Sequence, residues 1–215
     1  MDDTDFDRAL VAAAFRLAGD TGWRGVNVAA AAQAAGLSLA RARERFPCRS
    51  AILLRFGRLA DQAALSEATA EGIVRDRLFD LLMRRIDVLQ MHRAGVLALL
   101  AALPAEPPTA LLLAVATRRS MRWMLEAAGI GASGLRGELR VRGLLAVWLW
   151  TIRAWRGDES EDLSATMAAL DLALRRAQRA AEWLGGRAPA ADATQDATAD
   201  AAPAEPGAAA GDAPA

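Results

Sequence analysis

The sequence predicts an all-helical protein, and three observations indicate this fold class. Ala, Leu and Arg, which are good helix formers, dominate the chain. Tyr is absent, and no run of β-branched residues alternates over several positions as a half-exposed strand would require. Apolar residues instead recur at the spacing of helix faces, in segments separated by glycine, proline or acidic residues. We therefore expect nine helices.

Length and composition favour a globular protein. The 215 residues, of which 53% are hydrophobic, suffice for one core or for a small head on a larger body. The single Cys48 cannot form an internal disulfide, and no charged segment followed by an apolar stretch opens the chain, so we expect a cytoplasmic protein. The apolar segments are shorter than the roughly 20 residues that a membrane span requires.

Residues 1–71 are predicted to form a helix-turn-helix head. Asn27 and Ser38 can each accept a backbone N–H at the start of a short helix, and Gly36 relieves the turn between the two helices. Two short helices joined at a glycine turn are typical of a DNA-reading unit, in which the second helix is the recognition helix. The four helices of the head are expected at 5–18, 28–34, 39–45 and 49–70.

Residues 72–184 are predicted to form a helical body with five more helices. Four glycines between 129 and 137 are expected to break the helical pattern, and Asp158 and Glu161 have the spacing of a capping box before the last helix. Residues 185–215 lack large apolar side chains and are predicted to be a disordered tail. The helices of the body are expected at 74–89, 94–103, 107–128, 138–156 and from after Glu161 to about Trp183.

Charge is distributed unevenly along a chain whose formal net charge is zero. Between Arg24 and Arg58, seven arginines face Glu44 alone, a local balance of +6, whereas the segment after Arg187 is acidic. A basic stretch of this kind favours contact with the phosphates of a nucleic acid. The alternative interpretation is a solvated arginine face in a protein that uses arginine and no lysine.

The third helix is predicted to enter a groove of double-stranded DNA. Leu39 and Arg41 occupy its groove-facing positions, and the arginines that follow are placed against the phosphate backbone. Because base contacts specify sequence whereas phosphate contacts position the protein, Arg41 is expected to carry most of the discrimination, about 1 to 3 kcal/mol if it is bidentate to guanine. The predicted DNA-binding residues are Ser38, Leu39, Arg41, Arg43, Arg45 and Arg49.

Residues 6–56 carry apolar, small and basic residues at a characteristic spacing: Phe15, Gly22, Ala32, Ala35, Gly36, Leu37, Ser38, Phe46, Arg49 and Ile52. This pattern resembles the head of TetR-type transcriptional regulators. The resemblance implies a nine-helix fold and a repressor of the one-component kind, with a ligand pocket in the body.

The resemblance has departures on the DNA-binding face. Asn27 stands where the family usually has a capping Thr, and Ala31 replaces a large aliphatic residue. Arg43 stands where a phosphate-contacting Tyr is usual, Arg49 replaces Lys, and Cys48 stands where Ser is common. Both arginines keep the ability to bind phosphate, since a guanidinium pairs well with phosphate oxygens.

The body carries a second set of recurring residues. Residues 75–93 include Arg-Leu-Phe-Asp and His-Arg segments, and a tryptophan-rich helix precedes Asp158, Ser160, Asp162, Thr166, Leu170 and Asp171. Residues 141–175 resemble the C-terminal helix pair of the TetR-fold ubiquinone-biosynthesis accessory proteins, which bind lipid and have given up DNA binding. The chain departs from that family at 134–140, where an Asp-Phe-Asn-Trp-Tyr segment is missing.

Both resemblances imply an apolar cavity lined by helices five to eight. Met and Trp supply large, adaptable walls, although the same side chains at helical spacing also suit an ordinary core. His92 has no partner ligands or nucleophile at a recognisable spacing, so we expect no metal site, no cofactor and no catalytic centre. The candidate pocket residues are Phe79, Met83, Leu112, Met121, Trp123, Met124, Leu145 and Trp148.

The eighth helix is apolar around much of its circumference, which predicts a homodimer through helices eight and nine. The alternative is a helix buried within one subunit. The function expected from these features is a TetR-type regulator that binds a DNA operator and responds to a small apolar effector. The competing hypothesis is a lipid-binding accessory protein of ubiquinone biosynthesis without DNA binding. An enzyme is not expected, since no nucleophile, base or metal cluster emerges.

Overall fold

The computed structural model of the protein describes residues 1–66 and 72–185. Within these ranges the chain is helical and contains no strand, which confirms the predicted fold class. Short 3-10 turns lie at Trp23–Gly25 and Leu103–Ala105. The helices are α1 (Asp3–Thr21), α2 (Val28–Ala34), α3 (Leu39–Arg45), α4 (Arg49–Ser66), α5 (Val74–Met91), α6 (Arg93–Ala102), α7 (Pro107–Ala127), α8 (Gly134–Gly157) and α9 (Ser164–Gly185).

Some predicted features lie outside the described residues. These are the end of the fourth helix near residue 70, the boundary between head and body at residue 71, and the tail beyond Gly185. Met1–Arg179 form one compact unit, within which all contacts discussed below lie. The second unit, Ala180–Ala215, is described only as far as Gly185, where α9 ends.

The helix-turn-helix follows the sequence closely. The Asn27 side chain accepts a hydrogen bond from the Ala30 N–H at 2.8 Å and starts α2, and Ser38 accepts one from the Arg41 N–H at 3.4 Å and starts α3. Between them Gly36 adopts a φ of +64°, a left-handed conformation that glycine adopts without a Cβ clash. The predicted bounds of both helices are therefore confirmed.

Helix α1 forms the centre of the head and packs against α2, α4 and α6. Its contact with α6 is the closest, because a Cβ at Gly95 would collide with the backbone of Phe15. Phe6, Leu10 and Phe15 on α1 are fully buried, so this helix supplies much of the core beneath the helix-turn-helix.

One predicted boundary and one predicted helix cap in the body are wrong. Helix α8 begins at Gly134 rather than Glu138, because Gly137 lies inside the helix and lets it approach the backbone of Ala132, where a Cβ would collide. Helix α9 begins at Ser164 without the predicted capping box between Asp158 and Glu161.

Asp158 serves the start of α9 in another way. Its carboxylate accepts hydrogen bonds from the N–H and Oγ of Ser160 and from the N–H and Oγ1 of Thr166. These hydrogen bonds hold the pKa of Asp158 well below its usual range, with Ser160 as the largest contributor and Thr166 next. The acidic residue therefore caps the helix from outside, through a partner eight positions ahead.

No single helix in the described part of the chain is long and apolar enough to cross a bilayer. Helix α5 and the segment Arg93–Ala105 are long and apolar enough to span a bilayer only when taken together, and the two are bent by 93° relative to each other.

Candidate nucleic-acid interface

An open groove runs along the outer side of the helix-turn-helix. Its walls come from the start of α2, from one side of α3 and from the turn that leads into α4. The groove is lined by Asn27, Val28, Ala29, Leu39, Ala42, Arg43, Phe46, Pro47, Cys48 and Arg49. Helix starts carry unpaired N–H groups and a positive dipole end, so a groove built from three of them suits an anion.

Leu39 and Arg43 present the side of α3 that faces this groove. They lie one helical turn apart, Leu39 is 47% exposed, and Arg43 is also exposed. The Arg43 guanidinium donates a hydrogen bond to the Pro47 carbonyl at 2.7 Å, which holds the side chain across the turn. Among the described residues no carboxylate lies within ion-pair distance of Arg43, so its charge is available to a ligand.

Arg41 and Arg45 lie on the other side of α3, against α1. Arg41 places Nη2 at 2.5 Å from Asp3 Oδ1, donates to the Met1 carbonyl, and lies over the Phe6 ring at 4.5 Å. Arg45 places Nη1 at 2.7 Å from Asp3 Oδ2. Two of the predicted DNA-binding arginines are thus held by the first turn of the chain's first helix.

Asp7 makes the deepest ion pairs of this region. Its side chain is 4% exposed and accepts from Arg45 Nε and Nη2 at 2.7 and 2.8 Å, and it also lies 2.6 Å from Arg55 Nε on α4. The hydrogen bond that Arg45 donates to Asp7 raises the pKa of Arg45, and the hydrogen bond that Arg41 donates to Asp3 lowers the pKa of Asp3. One buried carboxylate therefore joins α1, α3 and α4.

Arg49, the first residue of α4, is tied to the start of α7. It donates to Glu106 Oε2 at 2.8 Å and to the Trp23 carbonyl at 3.1 Å, and its guanidinium lies over the Trp23 ring. Glu106 also accepts from Thr109 and lies 3.8 Å from Arg24. The predicted phosphate contact at α4 is therefore joined to a carboxylate outside the head.

Sequence reasoning missed these pairings. The +6 balance counts only the residues between Arg24 and Arg58, whereas the partners Asp3, Asp7 and Glu106 lie outside that window. Acidic residues at the start of the first helix are already favoured by the positive end of the helix dipole, so they gave no sign of ion pairs with α3. The available signal was the spacing of its aspartates, which places Asp3 and Asp7 on one side of a helix, one turn apart.

Comparisons with known proteins identify the fold. No protein-family model and no curated protein matches the sequence. Among solved structures, a TetR transcriptional regulator from Nitrosomonas europaea ATCC 19718 superposes with a TM-score of 0.66 at 23% identity, over 81% of this chain and 99% of that one. A TetR-family regulator from Streptomyces coelicolor superposes with a TM-score of 0.57 at 22% identity, over 86% of this chain and 87% of that one. A TetR regulator from Rhodococcus sp. RHA1 superposes with a TM-score of 0.56 at 19% identity, over 82% of this chain and 97% of that one.

The chain has the fold of the TetR-family transcriptional regulators. The sequence predicts that the head, which α1 to α4 form, resembles that of TetR-type regulators. This resemblance is confirmed for the fold. At these identities the comparison concerns the fold alone.

The predicted pocket residues occupy three kinds of position in the TetR-fold body. Met121, Met124 and Trp148 are buried in the common core, and Trp123 is 54% exposed because helical spacing turns it outward. Phe79, Met83 and Leu145 are partly buried and pack against the core, and Leu112 is partly buried on α7. An open groove between α5 and α9 is lined by one member of the predicted set, Phe79, together with Asp76, Asp80, Met167, Ala168 and Asp171.

The body also contains a buried ion pair that sequence reasoning did not anticipate. Arg85 on α5 is buried, pairs with Asp61 on α4 and lies over the Trp148 ring at 5.1 Å. Ser120 on α7 donates to Asp61 at 2.6 Å. Burial lowers the pKa of Arg85 to about 10, so the guanidinium remains charged at neutral pH. Helices α4, α5, α7 and α8 meet at this group.

Proposed function

We propose that the protein is a homodimeric, DNA-binding transcriptional regulator that responds to a small apolar effector. The observation that carries this proposal is the capped α3 of a helix-turn-helix, whose Leu39 and Arg43 line an uncovered groove. The TetR fold, shared over 81% of the chain with the regulator from Nitrosomonas europaea, supports it. A cytoplasmic location is part of the same proposal.

DNA would be read by the groove side of α3. A major groove about 12 Å wide admits one helix, with its first residues at the base edges. Leu39 offers apolar contact to a thymine methyl group, and Arg43 offers a guanidinium to a phosphate or a guanine edge. The starts of α2 and α4 point N–H groups at the flanking phosphates. Arg41 and Arg45 join the contact only after they leave Asp3.

Dimerisation is supported by the outer surface of α8 and α9. Gly143 and Ala146 are exposed small residues in the middle of α8, and a Cβ at Gly143 would meet nothing. Leu139, Leu149 and Trp150 flank them and are each about half exposed. Small residues framed by large apolar ones let a second helix approach closely and then bury apolar area.

A two-fold pairing on this surface would place the two α3 helices on half-sites about 34–36 Å apart, or a multiple of that distance. Leu172 on α9 is likewise exposed, and Arg176 lies over the Trp150 ring at 5.9 Å. The inward-facing residues of α8, such as Val147 and Trp155, are already buried within the subunit. The proposed occupant of the outer surface is therefore a second copy of the chain.

Effector binding would act on DNA through α4. The start of α4 lines the groove along α3. Asp61, further along α4, forms an ion pair with Arg85 on α5 and accepts a hydrogen bond from Ser120 on α7. An effector that changes the packing of α5 and α7 would favour one position of α4 over another, and operator affinity would fall by the difference in binding free energy.

The lipid-binding alternative gains no support from the comparisons. The residues that carry that resemblance also have a structural use, since Asp158, Ser160 and Thr166 form the hydrogen-bonded start of α9. Their presence follows from helix capping and does not require a lipid ligand.

Genomic footprinting of the purified protein tests the proposal. We expect discrete inverted repeats, and sedimentation is expected to give a dimer. Arg43→Ala should weaken the footprints, whereas Arg8→Ala, at an exposed position of α1 outside the groove, should not. Trp150→Glu should give monomers, and the matched control Trp123→Glu should not. A monomeric wild-type protein without footprints, with isoprenoid lipid co-purified, would favour the accessory protein.

A further inference from the structure

We propose that Asp3 competes with DNA for Arg41 and Arg45 and so sets the affinity of the recognition helix. This inference rests on the proposed DNA-binding function. Asp3 lies at the first position of α1, and its two carboxylate oxygens each hold one arginine of α3, at 2.5 and 2.7 Å.

The carboxylate occupies the place that a phosphate would take. A guanidinium pairs with carboxylate and phosphate oxygens by the same charge-assisted hydrogen bonds. Arg41 and Arg45 are one turn apart on α3, so a single anion between them can pair with both. While Asp3 remains there, neither arginine can bind DNA with all of its donors.

Burial separates the displaceable carboxylate from the fixed one. The Asp3 side chain is 65% exposed, whereas that of Asp7 is 4% exposed and also holds Arg55. Exposed ion pairs are weak and exchange with solvent ions, whereas removing one partner of a buried pair is strongly unfavourable. DNA can therefore displace Asp3 while Asp7 keeps Arg45 attached to α1.

The position of Asp3 at a helix end favours its release. The first turn of a helix can open without disturbing the turns that follow. Asp2 caps this turn by accepting from the Asp5 N–H at 2.7 Å, and Phe6 keeps Arg41 near α1 through its ring. Opening this turn frees Arg41 and leaves the fully buried Leu10 and Phe15 in place.

The test compares Asp3→Asn with Asp5→Asn in the full-length protein. Both remove one negative charge from the start of α1, but Asp5 lies near Arg8 at 3.8 Å and has no contact with α3 among the described residues. Titration of a footprinted operator duplex should show affinity raised about two- to fivefold by Asp3→Asn, the free energy of an exposed ion pair, and little changed by Asp5→Asn.

Salt dependence gives a second readout. In the wild-type protein, the cations that the phosphate gives up are partly offset by those that the released Asp3 attracts. Asp3→Asn removes this offset, so the slope of log affinity against log salt should steepen, by less than the roughly 0.9 that one phosphate contact contributes. Asp3→Glu keeps the carboxylate and should keep the wild-type slope.

A double-mutant cycle identifies the arginine. The gain from Asp3→Asn should shrink in an Arg41→Ala background, because the competitor then has one fewer target. Equal gains from Asp3→Asn and Asp5→Asn would overturn the competition and leave the DNA-binding function intact. No binding to any duplex at low salt, by wild type or variants, would overturn both.

Discussion

The two sides of α3 differ in whether their arginines have carboxylate partners. On the side toward α1, Arg41 and Arg45 pair with Asp3 and Asp7, while on the groove side Arg43 has no carboxylate partner among the described residues. Both sides carry arginine, at positions two residues apart along α3. The positive charge available to a nucleic acid therefore depends on the surroundings of each arginine, and the number of arginines in the sequence does not give it.

Removing Asp7 should have the largest effect on the protein. Asp7→Ala leaves Arg45 and Arg55 without their shared buried partner, and we expect a loss of about 3 kcal/mol in the free energy of unfolding. Chemical denaturation measures this loss. Asp5→Ala, on the same helix but exposed, should change stability by less than about 0.5 kcal/mol. Similar stabilities for the two variants would mean that the α1 side of α3 is not fixed by Asp7.

Arg43 and Arg41 should differ in their importance for DNA binding. Arg43→Ala is expected to weaken binding at least about fivefold, because this side chain reaches the groove without first breaking an ion pair. Arg41→Ala should cost less, since its guanidinium must leave Asp3 before it binds. Titration of each variant at one fixed salt concentration makes the comparison. A larger loss for Arg41→Ala would restore it as the main source of discrimination, as the sequence suggested.

Glu106 provides a smaller change at the edge of the groove. Glu106→Gln removes the charge that faces Arg49, and affinity for DNA should rise about twofold. Thr109 can still donate to the amide oxygen, so the start of α7 should persist. The control is Glu126→Gln at an exposed position of the same helix. An unchanged affinity would show that Arg49 takes no part in binding.

The smallest effect should appear in the pH dependence of stability. His92 packs against Phe15 on α1 and Phe56 on α4, and burial followed by the charge of Arg16 lowers the pKa of His92. The unfolded chain, with a His pKa near 6.5, then binds more protons below neutrality, so stability should fall as pH drops from 7 to 5.

His92→Gln should reduce this fall, measured as the difference between the thermal midpoints of the two proteins at each pH. Parallel curves for wild type and variant would show that His92 does not couple to folding.

Local signals explain what the sequence could predict. Asn27, Ser38 and Gly36 act on neighbouring backbone, and the bounds of α2 and α3 agree with those expected. Glycines were less informative, because Gly137 permits close packing within α8 instead of ending a helix. Of the candidate site, the position of α3 was predictable.

The pairing of the arginines was not predictable, since it depends on tertiary contacts. Arg41 and Arg45 find partners 38 residues away, and Arg49 finds one 57 residues away. The same reason applies to Arg85 and Asp61, which meet through the packing of α5 against α4.

Helix α6 lies directly against the backbone of α1 at Gly95, since a Cβ there would collide with the backbone of Phe15. Backbone in such close contact has no side chains to rearrange and absorb a displacement. A movement of α6 would thus be passed on to α1, and with it to the two aspartates that pair with α3. For the proposed regulator, this contact is a second mechanical route from the body to α3, beside the one through α4.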